Sequence, residues 1–123
     1  PILVEGQACG AVAFGIGGML GEEIVVDPSG RQLTTDFADY IMPRAGDVPE
    51  IAVGHHDSPN PVTFMGLKGA GEAGVGGSAA AIVNAVNDAL CSLNVEIDEM
   101  PVSAPNVWSA IQAAARSSKE PTS

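Results

Sequence analysis

Residues 68–74, Lys-Gly-Ala-Gly-Glu-Ala-Gly, set one carboxylate, Glu72, among glycines at 69, 71 and 74. Two kinds of chemistry fit that pattern. Gly-x-Gly-x-x-Gly is the dinucleotide fingerprint, whose glycines let the backbone approach a pyrophosphate at a helix N-terminus. Alternatively, the glycines bend the loop tightly and leave Glu72 projecting ahead of a helix, as a general base would be mounted. The surroundings count against the first, and the second competes with the commoner case of a solvated loop glutamate. The preceding "NPVTFMGLK" carries a proline and a lysine instead of leaving a buried apolar strand, and "GVGGS" separates the motif from the helical stripe after it. Glu72 would stand against a diphosphate, and a 123-residue chain with one such unit offers no second mononucleotide half.

Other candidate groups carry less. His55 and His56 are adjacent on an expected strand, point to opposite faces and cannot share one metal. We therefore expect no metal ligands from the protein. "FGIGGM" lacks the lysine and hydroxyl of a phosphate loop. Cys9 and Cys91 lie in apolar helix-like segments without a Cys-x-x-Cys partner, which predicts buried free thiols. Trp108 is expected to anchor a helix in the core.

The elements that position these groups follow from periodicity. Residues 5–21 read as a glycine-rich helix, with Val12, Ile16, Met19 and Leu20 near helical spacing and glycines paired four apart at 6/10 and 17/21. Such a helix tolerates its glycines only where it packs closely against a backbone or a ligand, since each costs about 1 kcal/mol relative to alanine. "EEIVV" (22–26) reads as a strand, Asp27-Pro28-Ser29-Gly30 as a turn with glycine in the left-handed region, and the segment from Arg31 as the returning strand. "EIAVGHHD" (50–57) reads as another strand and "SPNPVTFMG" as a loop. Ser78 is expected to cap a helix striped by Ile82, Val83, Val86, Ala89, Leu90 and Leu93, which Asn94 ends in a left-handed conformation. A last helix follows Ser103, with Pro105 in its first turn and Val107, Trp108 and Ile111 on its apolar face. The expected fold is α+β: a single domain over 1–116 with a few short, mainly antiparallel strands and about three helices, then a disordered tail over 117–123.

Composition narrows the class. Hydrophobic residues make up 46 % but aromatics only 4 %, so the core is built from small aliphatic side chains. Five basic residues face fifteen acidic ones, a net charge of −10, which argues against nucleic acid and against an anionic membrane surface. No signal-peptide pattern stands out, and the longest apolar run looks too short for a membrane span. A start at Pro1 without methionine points to a processed chain or a piece of something longer.

Three long stretches, in order, carry a resemblance. "GLKGAGEAGVGGSAAAIVNAVNDAL", the upstream "VEGQACGAVAFGIGGMLGEEIVVDPSGRQLTTDFADYIMPRAGDVPEI" and the closing "VEIDEMPVSAPNVWSAIQ" resemble the C-terminal segment of the molybdopterin-binding large subunit of the xanthine dehydrogenase and aldehyde oxidoreductase family. The match runs from about Val4 to Ala113. It implies that the chain is part of a larger molybdenum-cofactor-binding domain. The cofactor is a molybdopterin, with the cytosine dinucleotide as one form the resemblance allows. Glu72 falls on the catalytic base, taking up a proton as water-derived oxygen reaches an aldehyde or N-heterocycle. Lys68, Gly69, Ala70 and Gly71 fall on cofactor contacts made by the backbone, and Gln7 on a hydrogen bond to the pterin. The implied partners are the remainder of the large subunit and subunits carrying [2Fe-2S] clusters and FAD, in the cytoplasm. Alone the chain would be inactive, and we expect it to self-associate through its glycine-rich helix. The competing expectation is a non-catalytic interaction or assembly module.

Overall fold

Helix α1 spans Ile2–Leu20, α2 Val75–Leu90 and α3 Ala104–Ser117. They come from a computed structural model, which describes residues 2–117. Ser117 closes α3, and the tail expected beyond it lies outside the described residues. α1 and α2 meet through residues too small to hold them apart. A Cβ added at Gly74 would lie 2.9 Å from Ala11 Cβ and 3.1 Å from Ala8 O, and one added at Gly15 would lie 2.8 Å from Ser78 Cβ. Ala11 and Gly15 are one turn apart on α1, as Gly74 and Ser78 are at the head of α2, so two i,i+4 rows face each other. At the other end of α1, Gly17 lies against the Glu22 carboxylate and Pro43, and Gly21 against Ile41 O. Gly6 and Gly10 have no neighbour within 4 Å of an added Cβ.

The core is small. Val102, 2 % exposed, packs with Leu90, Val95 and Ile97 under Met19, Ile82, Val83, Val86, Val107 and Ile111. Of the expected stripe of α2, Ile82, Val83, Val86 and Leu90 do face inward, whereas Ala89 and Leu93 are exposed. Its start differs from expectation. Ser78 is not the cap; the helix begins three residues earlier, and Ser78, buried, donates its hydroxyl to Val75 O at 3.0 Å. Packing of Gly74 on α1 overrides the poor helix propensity of "VGGS". Asn94, after a 3-10 turn over Cys91–Leu93, is left-handed at φ 51 and ψ 41, as expected. Pro105 sits in the first turn of α3, with Val107 and Ile111 half-buried. Trp108 is not a core anchor: it is 62 % exposed. Cys9 and Cys91 are both free, but neither is buried as expected: Cys9 is half-buried and Cys91 exposed.

The α+β expectation fails. The described residues contain three α-helices and no strand, only an isolated antiparallel bridge between Val26 and Gln32. The turn that should seed the hairpin does form, with Gly30 at φ 85 and its N–H donating to Asp27 O at 2.9 Å. Past the bridge, the Thr34 hydroxyl takes the place of a backbone pair, accepting from Val25 N–H at 2.9 Å and donating to Glu23 O at 3.1 Å. A side chain has satisfied the groups that a longer ladder would need. Residues 50–57 take up no regular secondary structure and make no backbone–backbone hydrogen bond among the described residues. Local carboxylates and amides hold the chain between instead. Asp36 Oδ1 accepts from Ala38 N–H at 2.7 Å, Asp47 Oδ2 from Arg44 N–H at 2.9 Å and Asn60 Oδ1 from Val62 N–H at 3.0 Å.

α1 also amends a second expectation. By length and composition its 19 residues are sufficient to cross a membrane. Its small-residue face is nonetheless buried on α2, while Ile2, Leu3 and Phe14 are exposed.

Candidate cofactor and catalytic site

The close approach of α1 to the head of α2 brings Gln7 to the glycine-rich loop. Gln7, Ala11 and Gly15 form one i,i+4 row, and the last two are locked on Gly74 and Ser78. The first therefore projects over the loop: a Cβ added at Gly71 would lie 3.6 Å from Gln7 Nε2. Two residues 64 positions apart in sequence share one surface.

The loop is a pair of turns leading into α2, with Ala73 N–H donating to Ala70 O at 3.5 Å and Val75 N–H to Glu72 O at 3.2 Å. Glu72 is exposed, and its carboxylate makes no hydrogen bond or ion pair among the described residues. Gly69, Gly76 and Gly77 have nothing within 4 Å of an added Cβ. Bare backbone therefore surrounds Glu72 on both sides, beside the Gln7 amide. Helix-interior glycines without a packing partner in the chain are costly, about 1 kcal/mol each against alanine, so their open faces suit a group that must come close.

The remaining candidates are distributed differently. Lys68 turns its side chain away from the loop, donating to Ser58 O and to Ser58 Oγ, both at 2.7 Å. Ala70 is half-buried under the turn. His55 Nε2 lies 3.4 Å from Glu5 Oε1, and His56 lines a shallow cavity with Asp57, Ser58, Pro59, Gly66 and Lys68. No group of three or more His, Cys, Asp or Glu side chains among the described residues could hold a metal ion. A metal at this site would have to arrive with its own organic ligand. The donor set does fit such a group: an amide with one acceptor and two donors, exposed peptide groups and room where side chains would otherwise stand. Gly76, Gly77 and Ser58 were not picked out from sequence as parts of this region. The doubled glycine at the head of a helix was the available signal for the first two; Ser58 had none.

An open glycine surface thus lies beside a glutamine amide and an exposed carboxylate that makes no hydrogen bond or ion pair among the described residues. Known proteins resemble the chain that carries it. Residues 1–49 match the molybdopterin cofactor-binding domain. The chain is 39 % identical over 107 residues to the nicotine 6-hydroxylase large subunit of Paenarthrobacter nicotinovorans, covering 87 % of this chain and 13 % of that protein. It is 34 % identical over 109 residues to the putative xanthine dehydrogenase molybdenum-binding subunit of Escherichia coli K12, covering 88 % and 14 %. The crystal structure of quinoline 2-oxidoreductase from Pseudomonas putida 86 superposes with a TM-score of 0.87 at 41 % identity, covering 91 % of this chain and 14 % of that one. Most of the chain matches a segment of molybdopterin-binding large subunits of the xanthine dehydrogenase type. It spans about a seventh of the length of the relatives it matches.

Proposed function

We propose that residues 1–116 form part of the cofactor-binding domain of a molybdenum hydroxylase, with Glu72 as its catalytic base. The observation that carries this reading is the placement of Gln7 Nε2 beside Gly71, next in the chain to an exposed, unpaired Glu72. Gln7 and the backbone of Lys68–Gly71 would hold the pterin. When bound, the molybdenum cofactor supplies a two-electron oxidation of an aldehyde or N-heterocycle with water as the oxygen source. Glu72 accepts, at a carboxylate oxygen, the proton released as that oxygen is delivered; a positioned base of this kind contributes about 10²–10⁴ in rate. The glycines around it keep side chains out of the way of cofactor and substrate. The electrons leave through [2Fe-2S] and flavin groups carried by partner domains or subunits. Residues that orient the substrate lie in the rest of the large subunit.

Glu72→Gln in the assembled enzyme tests the reading. Glutamine preserves size and hydrogen bonding, so molybdenum content should stay near normal while substrate-dependent reduction falls by about 10²-fold or more. Full turnover in this variant would overturn the assignment.

A further inference from the structure

Lys68 stands one residue before the first glycine of the motif, yet its ammonium does not face the glycine surface. It closes a loop. Its Nζ donates to both oxygens of Ser58, backbone and side chain, at 2.7 Å each. Further bonds reinforce the closure: Asn60 N–H donates to Gly66 O at 3.2 Å and Thr63 Oγ1 to Leu67 O at 2.8 Å. The enclosed segment follows an uncommon backbone path. Met65, which bears a Cβ, is left-handed at φ 55 and ψ 17; Gly66 follows at φ 70, pressed so close to Pro59 that an added Cβ would lie 2.8 Å from its ring. Val62, Phe64 and Met65 on the enclosed tip are exposed, so burial of side chains does not fix its path.

We infer that Lys68, through Ser58, is the positioning residue for Glu72: the lysine anchors the N-terminal end of the glycine-rich turn, and the packing of Gly74 on α1 anchors the other. Between these anchors run Gly69, Ala70, Gly71, Glu72 and Ala73, a segment of high backbone freedom whose only internal backbone bond is the 3.5 Å contact of Ala73 N–H with Ala70 O. Fixing both ends restricts where the carboxylate can stand. Release of one end leaves it attached but spread over many positions, and misplacement of a reacting group by about 1 Å can cost around 10²-fold in rate. The inference rests on Glu72 being the base, but the latch itself can be measured without that assumption.

The experiment compares Lys68→Met, Lys68→Arg, Ser58→Ala and the Lys68→Met/Ser58→Ala pair in the assembled enzyme. Backbone hydrogen exchange over 66–74 should accelerate about tenfold in Lys68→Met and less in Ser58→Ala, with the α2 and α3 amides unchanged. Turnover number should fall about tenfold or more in Lys68→Met, with KM and molybdenum content near normal, and recover in part with Lys68→Arg. The Lys68→Met and Ser58→Ala effects should be non-additive, because Ser58→Ala removes one of the two bonds that Lys68→Met removes. Unchanged exchange over 66–74 would overturn the latch. So would a Lys68→Met enzyme that loses its molybdenum while Ser58→Ala keeps full activity, since the ammonium would then be serving the cofactor directly. If exchange responds as expected but Glu72→Gln remains active, the latch stands and the base assignment is the part that fails.

Discussion

Asn87 holds Ile97 by both its backbone groups: Asn87 Nδ2 donates to Ile97 O at 3.0 Å, and Ile97 N–H donates to Asn87 Oδ1 at 2.9 Å. One amide side chain on α2 does for the 95–98 segment what a neighbouring strand would do. Ile97 belongs to the core, so its peptide groups sit where water is scarce. Asn87→Leu should destabilise the chain by about 2 kcal/mol, because both groups lose their partner at once. Asn87→Asp keeps the acceptor and loses the donor, and should lie between the two. Urea denaturation with an unchanged slope and a lowered midpoint is the expected reading; an unshifted midpoint for Asn87→Leu would remove the clamp from the account.

Glycines on α1 should divide by address. Gly15→Ala places a Cβ 2.8 Å from Ser78 Cβ and should cost about 1–3 kcal/mol. Adding Ser78→Gly should restore most of that loss. Gly10→Ala meets nothing within 4 Å and should stabilise the isolated chain by up to about 1 kcal/mol. In the assembled enzyme the sign should reverse for Gly10 if its bare face receives another part of the protein or the cofactor. Thermal melts of both variants, alone and assembled, give the comparison.

Asp27 supplies a pH-dependent increment. The Ser29 hydroxyl, then the Arg31 and Ser29 N–H groups and the Arg31 guanidinium, hold its carboxyl below the usual value of 3.8. A depressed folded-state value means that the stabilisation is complete above 3.8 and fades as pH falls through the lower folded value. Asp27→Asn should therefore lower the melting temperature at neutral pH and become indistinguishable from wild type in strong acid. A difference that persists undiminished there would show that the turn does not depend on the charge.

Gln7→Ala should weaken cofactor retention in the assembled enzyme by about 1–3 kcal/mol, the cost of leaving a polar partner unsatisfied. Metal analysis after gel filtration measures it. Unchanged molybdenum occupancy together with unchanged turnover would take Gln7 out of the site.

The helices were legible because their signals are local. The apolar stripe from Ile82 to Leu90, Asn94 as a left-handed stop and Pro105 in a first turn each act within a few residues. The strands were not legible as anything else: "EEIVV" is expected as one on its composition, and "VEID", for which no strand is expected on composition, is similar in kind. What decides against them is which group answers their peptide bonds. Thr34 Oγ1 and the Asn87 amide do so, and a side chain reaching back from 9 to 11 residues away leaves no periodic trace. Ser78 misled for a related reason: its capping chemistry is real, but Gly74 fits against Ala8 and Ala11 and starts the helix earlier. At the site, Glu72 could be singled out from its glycines. Nothing in the spacing joined it to Gln7, because that contact depends on how two helices cross. The resemblance made that link; the geometry brings Gln7 Nε2 to Gly71, the neighbour of Glu72 in the chain.

The carboxylates and amides that close the turns at Asp27, Asp36, Asp47 and Asn60 set a limit on redesign of this surface. An engineer raising the isoelectric point would look first to the three aspartates as disposable charge. They are instead fittings of fixed length. Glutamate in their place adds a methylene and overreaches a ring that closes two or three residues away; lysine offers no acceptor at all. Safe positions for recharging are acids such as Glu50 and Glu99, whose side chains hold no backbone group among the described residues. Charge here is partly architecture, and a library that randomises Asp and Glu alike would lose the path of the chain between α1 and α2 before it gained solubility.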